Sequence, residues 1–228
     1  MKIVILTGAG MSAESGLRTF REMGGLWEEY DVMEVASPQG WHKDPELVMR
    51  FYNERRKQLM DCKPNAGHFG VAELEENFDV HIITQNVDNL HERAGSTKVL
   101  HLHGELMKCR SSIDETLVYD MDHWELKMGD LCNKGSQLRP HIVWFGEAVP
   151  AMEEAIPIVE TADILVVIGT SLNVYPAAGL INYTRSGIPI YLIDPNKPDI
   201  PMNGINFIQE KAGKGVDILK EELLQKYR

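Results

Sequence analysis

Lys2-Ile3-Val4-Ile5-Leu6-Thr7-Gly8-Ala9-Gly10-Met11-Ser12-Ala13 reads as a buried strand that runs into a tight turn and the opening of a helix. The turn fits G-x-G-x-x-A, in which backbone N–H groups at a helix start can face a pyrophosphate. Working outward, β-branched runs recur at Val80 to Ile83, Val99 to Leu102, Ile142 to Trp144, Ile164 to Ile168 and Ile188 to Ile193, with helix-like stretches between several of them. That alternation predicts an α/β, Rossmann-like parallel sheet wrapped by helices. A dehydrogenase would continue with a second strand and an acid about 20 positions on. Here Gly24-Gly25-Leu26-Trp27-Glu28-Glu29-Tyr30 follows instead, so the usual ribose-binding acid is missing.

Two segments stand outside the alternation and are expected to form a smaller domain. Residues 28–76 are mostly helical, and residues 105–138 are polar and irregular; residues 1–27, 77–104 and 139–228 make up the sheet domain. One domain with an insert suits 228 residues, at roughly 150 per domain. The net charge of −11 leaves no excess of cations for a polyanion, so nucleic acid is not an expected partner. No apolar run approaches the roughly 20 residues of a membrane span, and the chain opens without a secretion signal pattern. Three cysteines, Cys62, Cys109 and Cys132, do not make a disulfide framework, and a reducing cytoplasm is expected. The sequence leaves oligomeric state open.

The chemistry-bearing residues gather at predicted strand ends. Thr84-Gln85-Asn86-Val87-Asp88-Asn89-Leu90-His91 places two amides and a carboxylate at the carboxyl edge of the sheet, where α/β sheets bind ligands. His101-Leu102-His103-Gly104-Glu105 sends both histidines to one face, with only one at the strand's end. Together with Gly8-Ala9-Gly10, Phe20-Arg21, Arg139 to Glu147 and Gly169-Thr170-Ser171, this set resembles the sirtuins, NAD-dependent protein-lysine deacylases, from Leu6 to about Ala212.

The resemblance implies roles residue by residue. Gly8, Ala9, Gly10, Ser12 and Ala13 would surround the NAD diphosphate, and Phe20 and Arg21 would cap the nicotinamide end. Gln85, Asn86 and Asp88 would hold the carboxamide and its ribose, with Asn86 also taking part in the chemistry. Gly169, Thr170, Ser171, Asn196 and Ala212 would line the adenosine. His103 would be the general base that activates a ribose hydroxyl, a task suited to a pKa near 7. Val143, Phe145 and Glu147 would flank an acylated-lysine peptide added as a strand beside Asn173-Val174-Tyr175. Nicotinamide, free lysine and O-acyl-ADP-ribose would be the products. Ala36, Tyr52 and Arg55 match the branch that removes succinyl and malonyl groups, including the bacterial Phe-Tyr-Asn-x-Arg-Arg run. A small Ala36 leaves room, and a phenol and a guanidinium can bind a distal carboxylate.

The chain departs from the family in two places. Sirtuins resemble one another in two Cys-x-x-Cys pairs that hold zinc, but here Ser112 stands three residues after Cys109 and Gly135 three residues after Cys132, so no zinc is expected. Leu17-Arg18 replaces the usual Ile-Pro. Plainer readings stand beside the sharp ones: His101 as a structural hydrogen bonder, His42, His68, His81 and His123 as surface or structural, Met11, Met23 and Met33 as core filling, and Tyr52 with Arg55 as a solvated helix face. A deacetylase without acidic-acyl preference, an ADP-ribosyltransferase and a non-catalytic NAD sensor are the competing functions.

Overall fold

The computed structural model describes residues 1–17, 30–170, 175–197 and 203–227. Strand β1 (Lys2–Thr7) is apolar on successive residues because both of its faces are covered. It sits mid-sheet, paired in parallel with β2 (Asp79–Thr84) on one side and β7 (Ile164–Ile168) on the other. With β3 (Val99–His101), β8 (Ile190–Ile193) and β9 (Ile205–Ile208), the order is β3-β2-β1-β7-β8-β9. The winding direction therefore reverses between β1 and β7, which opens a crevice at their carboxyl ends.

Along the chain the helices are α1 (Ala9–Ala13), α2 (Val32–Val35), α3 (Pro38–Lys43), α4 (Pro45–Asp61), α5 (Ala66–Glu73), α6 (Leu90–Arg93), α7 (Met152–Glu160) and α8 (Ala212–Tyr227). Strand side chains alternate between two apolar layers. Ile3, Ile5, Ile164 and Val166 pack with Val71 of α5 and Val216, Leu219 and Leu223 of α8. Val4, Leu6, Leu165 and Val167 pack with Ala155 and Val159 of α7 and with Leu180. Each such Val, Ile or Leu side chain removed from water contributes about 1.5–3 kcal/mol. Among the described residues, no helix is long and apolar enough to cross a membrane.

A second, antiparallel sheet has the order β5-β4-β6, built from β4 (Gly104–Ser111), β5 (Val118–Asp120) and β6 (Leu138–Ile142). This corrects two expectations. The run at Ile142 does not enter the parallel sheet, because its strand begins at Leu138 and pairs with β4. Pro140 explains the placement: it offers no N–H, so it suits an edge strand and not the middle of a ladder. Residues 105–138 are also not uniformly irregular, since β4 and β5 pair within them. Strand β9, which the sequence reading passed over, closes the far edge of the large sheet.

Helix α4 ties the small sheet down. Asp44 caps it by accepting from Leu47 N at 2.9 Å, and Pro45 opens it. On its inner face Asn53 brackets Leu126, accepting from its N and donating to its O at 3.0 and 2.9 Å. The fully buried Arg56 donates to the Trp124 carbonyl at 2.8 Å.

Candidate active site

The site forms where β1 and β7 diverge. Gly8 N donates to Ile168 O at 3.0 Å, and Gly10 N to Gly169 O at 2.9 Å, so the two turns cross in contact. A Cβ on Gly10 would lie 2.7 Å from Gly169 Cα, and one on Gly8 would lie 2.6 Å from Thr170 Cβ. Gly169 itself has φ +61°, a left-handed conformation that favours glycine. A third loop joins them: Gln85 N donates to Thr7 O at 2.9 Å, and its side-chain amide to Thr170 Oγ1 at 3.2 Å.

Obligate partners fix the orientation of Asn86. Its Nδ2 donates to the Gly8 carbonyl at 3.0 Å and to Ser12 Oγ at 3.1 Å. A carbonyl can only accept, so nitrogen faces it, both amide protons are used, and Oδ1 is the atom left to receive a hydroxyl. The Ser12 hydroxyl donates in turn to Asp88 Oδ2 at 2.9 Å, and Leu90 N donates to Asp88 Oδ1 at 3.1 Å. Burial raises the Asp88 pKa, against the pull of those two donors.

Beneath this layer His68 and His91 meet edge to face with ring centroids 4.9 Å apart. Both are fully buried, so His68 is structural and not a surface residue. Asn65 N donates to His68 Nδ1 at 3.3 Å, and burial lowers the ring's pKa to about 4. The neutral ring therefore carries its proton on Nε2, 3.5 Å from Ser12 Oγ.

His101 and His103 both reach the Gln85–Asp88 loop, yet differ in what they meet. His103 Nδ1 lies 3.1 Å from Gln85 O, which can only accept, so the proton sits on Nδ1. Among the described residues nothing bonds Nε2, and burial lowers the ring's pKa against the pull of the Gln85 carbonyl. His103 is thus a neutral imidazole with an available lone pair. His101 instead meets Asn86 O at 2.9 Å and Glu92 Oε1 at 2.7 Å. The turn that separates the two histidines from β4 closes at Gly104, with φ +80°.

On the opposite side, Ala36 and Tyr52 lie in one buried cluster with Trp144, Leu90 and Ile142. Trp144 Nε1 donates to Tyr52 Oη at 3.1 Å, which leaves the phenol's own proton free to be donated elsewhere. Burial raises the Tyr52 pKa to about 12 and lowers that of Arg55 to about 10, with Tyr52 and Asp88 opposing the latter shift. At neutral pH the guanidinium is charged and the phenol is not. Phe145 N donates to Ala36 O and Val143 N to His103 O, both at 2.9 Å, so this segment bridges the Ala36–Tyr52 cluster and the histidine side. Phe145 is half exposed. The Glu147 carboxylate is engaged by Arg139 at 2.7 and 3.2 Å and by Trp144 N at 2.8 Å. Arg139 stacks on Trp144, 3.3 Å from its centroid.

Other expected residues fall around this edge. Ala9 and Ala13 begin and end α1, Asn196 is exposed just after β8, and Ala212 is the buried first residue of α8. Phe20, Arg21 and Ser171 lie outside the described residues, as do Arg18, Asn173 and Val174. Sequence reading missed Glu92, Trp144 and Arg139 as parts of the site, because each acts on another side chain. The capping box that Asn65 and His68 form at the start of α5 is the one sequence spacing that could have pointed to a structural role for His68.

The residues present do not fit a structural zinc ion. Cys109 packs in an apolar cluster with Met49, Met121 and Leu126, whereas Cys132 bonds Ser136 Oγ at 3.0 Å and Ser136 bonds Ser111 at 2.6 Å. Among the described residues, no group of three or more His, Cys, Asp or Glu gathers to hold a metal. Because Cys109 and Cys132 supply only two of the four ligands a structural zinc needs, elemental analysis of protein purified without chelator is expected to find well under one zinc per chain. A stoichiometric zinc, lost together with folding on chelation, overturns this.

The Sir2 family model matches residues 8–176. An NAD-dependent protein deacylase of Bacteroides thetaiotaomicron is 56% identical over 97% of this chain and 97% of its own length. One from Helicobacter pylori strain 26695 is 53% identical over 98% of this chain and 97% of its own. The crystal structure of a Sir2 homologue in complex with NAD superposes with TM-score 0.87 at 40% identity, over 98% of this chain and 90% of that one. On fold, motif and relatives alike, the chain belongs to the Sir2, or sirtuin, family.

Proposed function

We propose that the protein is an NAD-dependent protein-lysine deacylase that removes succinyl and malonyl groups as well as acetyl. The observation that carries the reaction class is the His103 tautomer. A ring held neutral by burial and anchored through Nδ1–H keeps its Nε2 lone pair at the edge where Gly8, Gly10, Gly169 and Asn86 converge. A cofactor-sensing module has no use for such a base.

The crossing of the two glycine turns, where no Cβ fits, and the donor set of Gln85, Asn86, Ser12 and Asp88 suit a dinucleotide at this crevice. In this reading Gly8, Ala9, Gly10, Ser12 and Ala13 hold the diphosphate, Gln85, Asn86 and Asp88 the nicotinamide riboside, and Gly169, Thr170, Asn196 and Ala212 the adenosine; Phe20, Arg21 and Ser171 are assigned on the family pattern alone. Bound NAD supplies a ribose carbon from which nicotinamide can depart and hydroxyls that accept the acyl group. Asn86 Oδ1 orients a ribose hydroxyl, and His103 Nε2 takes its proton. Val143 and Phe145 flank the peptide, while Glu147, engaged by Arg139, shapes that wall from behind.

Acidic-acyl preference is supported by the pairing of a donor-competent phenol with a cation three residues on along the same helix. An anionic acyl group would complement the Arg55 charge, and the small Ala36 side chain leaves space for it. Purified protein incubated with NAD and a panel of acetyl, malonyl and succinyl peptides, read by mass spectrometry, tests both claims. Loss of acyl mass with formation of O-acyl-ADP-ribose is expected. Mass gained by the peptide would point to ADP-ribosyl transfer, and acetyl turnover alone to a general deacetylase.

A further inference from the structure

His101 stands two residues before the proposed base and is nearly covered, with 6% of its side chain exposed. Its two ring nitrogens meet the Asn86 carbonyl at 2.9 Å and the Glu92 carboxylate at 2.7 Å. Neither partner has a proton to give when Glu92 is ionised, so both bonds form only when both nitrogens carry one. His101 is then an imidazolium, in contrast to its neighbour His103. We propose that this charged ring, held by Glu92, is a positioning residue for the NAD reaction: it grips the Asn86 backbone and so aims Asn86 Oδ1 and Asp88 into the ribose site. The inference rests on the deacylase reading of the site.

The grip complements the bonds already described. Asn86 N donates to Thr84 Oγ1 at 3.0 Å, and its side chain is engaged by Gly8 and Ser12, so the imidazolium secures the remaining main-chain group of the residue. The charged surroundings agree. Burial works against protonation of His101, but the bond and charge of Glu92, the Asn86 carbonyl and the charge of Glu105 outweigh it and raise the pKa. The Glu92 pKa is lowered in return: burial opposes this, while the His101 bond and charge prevail, helped by Lys108. Buried Asp88 feels the same cation, which favours its ionised form, and neighbouring His91 is disfavoured as a second cation. The pair is therefore intact between the lowered Glu92 pKa and the raised His101 pKa. It is lost as pH falls through the first or rises through the second.

Two measurements decide the matter without turnover. Imidazole NMR of the wild-type protein should show His101 doubly protonated at pH 7.5, where an ordinary histidine of pKa about 6.5 is mostly neutral, and His103 as the Nδ1–H tautomer. Glu92→Gln keeps an acceptor of the same shape but removes the charge. NAD affinity by calorimetry, using NAD itself, should then weaken about ten-fold between pH 6 and pH 8.5 in this variant, the scale of one charge-assisted hydrogen bond. Wild-type affinity should vary less across that range, because the Glu92 carboxylate raises the His101 pKa. A purely structural role would give a pH-independent loss. A neutral His101 in the wild type, or a flat profile for Glu92→Gln, overturns the inference even if deacylation is observed. Wild-type protein that binds NAD with this pH signature but removes no acyl group overturns the deacylase reading instead.

Discussion

His103→Ala should lower deacylation by about 10²–10⁴-fold while NAD still binds, since that is the range a general base supplies. The expectation follows from the ring's bonding. Nδ1–H is committed to the Gln85 carbonyl, Nε2 is available among the described residues, and burial keeps the ring uncharged. Removing it deletes a proton acceptor, whereas the proposed cofactor contacts run through Gln85, Asn86 and the glycine turns. Because burial lowers its pKa, the base stays competent as pH falls below the ordinary histidine value of about 6.5, and the acid limb of the rate profile should lie below that point. His101→Ala should be milder in turnover and should act mainly on NAD affinity. Steady-state kinetics paired with calorimetric NAD titration separates the two residues. An active His103→Ala beside a dead His101→Ala would mean that the base has been assigned to the wrong ring.

Arg55→Met should impair succinyl- and malonyl-peptide turnover selectively, with kcat/KM falling roughly ten-fold to a hundred-fold. A hydrogen bond to a charged group contributes about 1.5–3 kcal/mol, and each 1.4 kcal/mol is about a factor of ten. The substitution keeps side-chain length while removing a guanidinium that lies 5.5 Å from the Phe51 ring centroid and stays protonated at neutral pH. Acetyl turnover should hold or rise, because an acetyl methyl carries no charge for the guanidinium to meet. Tyr52→Phe should show the same selectivity more weakly, since the lost donor is neutral and its Trp144 bond is lost with it. Rates on matched acetyl and succinyl peptides provide the check. Equal losses on both would assign Arg55 to the fold or to NAD, and the chain would then rank as a general deacetylase.

Local pattern was enough for the sheet domain. The unbroken apolar runs of β1 and β7 suit strands covered on both faces, and Gly8-Ala9-Gly10 suits a tight turn after such a strand, so together with the recurring β-branched runs they made fold class and crevice readable from consecutive residues. The same holds for Tyr52 and Arg55, three apart on one helix and thus on one face. Pairing partners of weak, polar strands were not readable. Whether Leu138–Ile142 joins the large or the small sheet depends on which edge offers unpaired groups to a strand that contains Pro140, a property of the assembled sheets. The difference between His101 and His103 was likewise decided in space. Sequence alternation places both on one face, but only the approach of Glu92, on a separate helix, makes one ring a cation and leaves the other a base. Protonation depends on distance and burial, and the chain creates those only when remote segments meet.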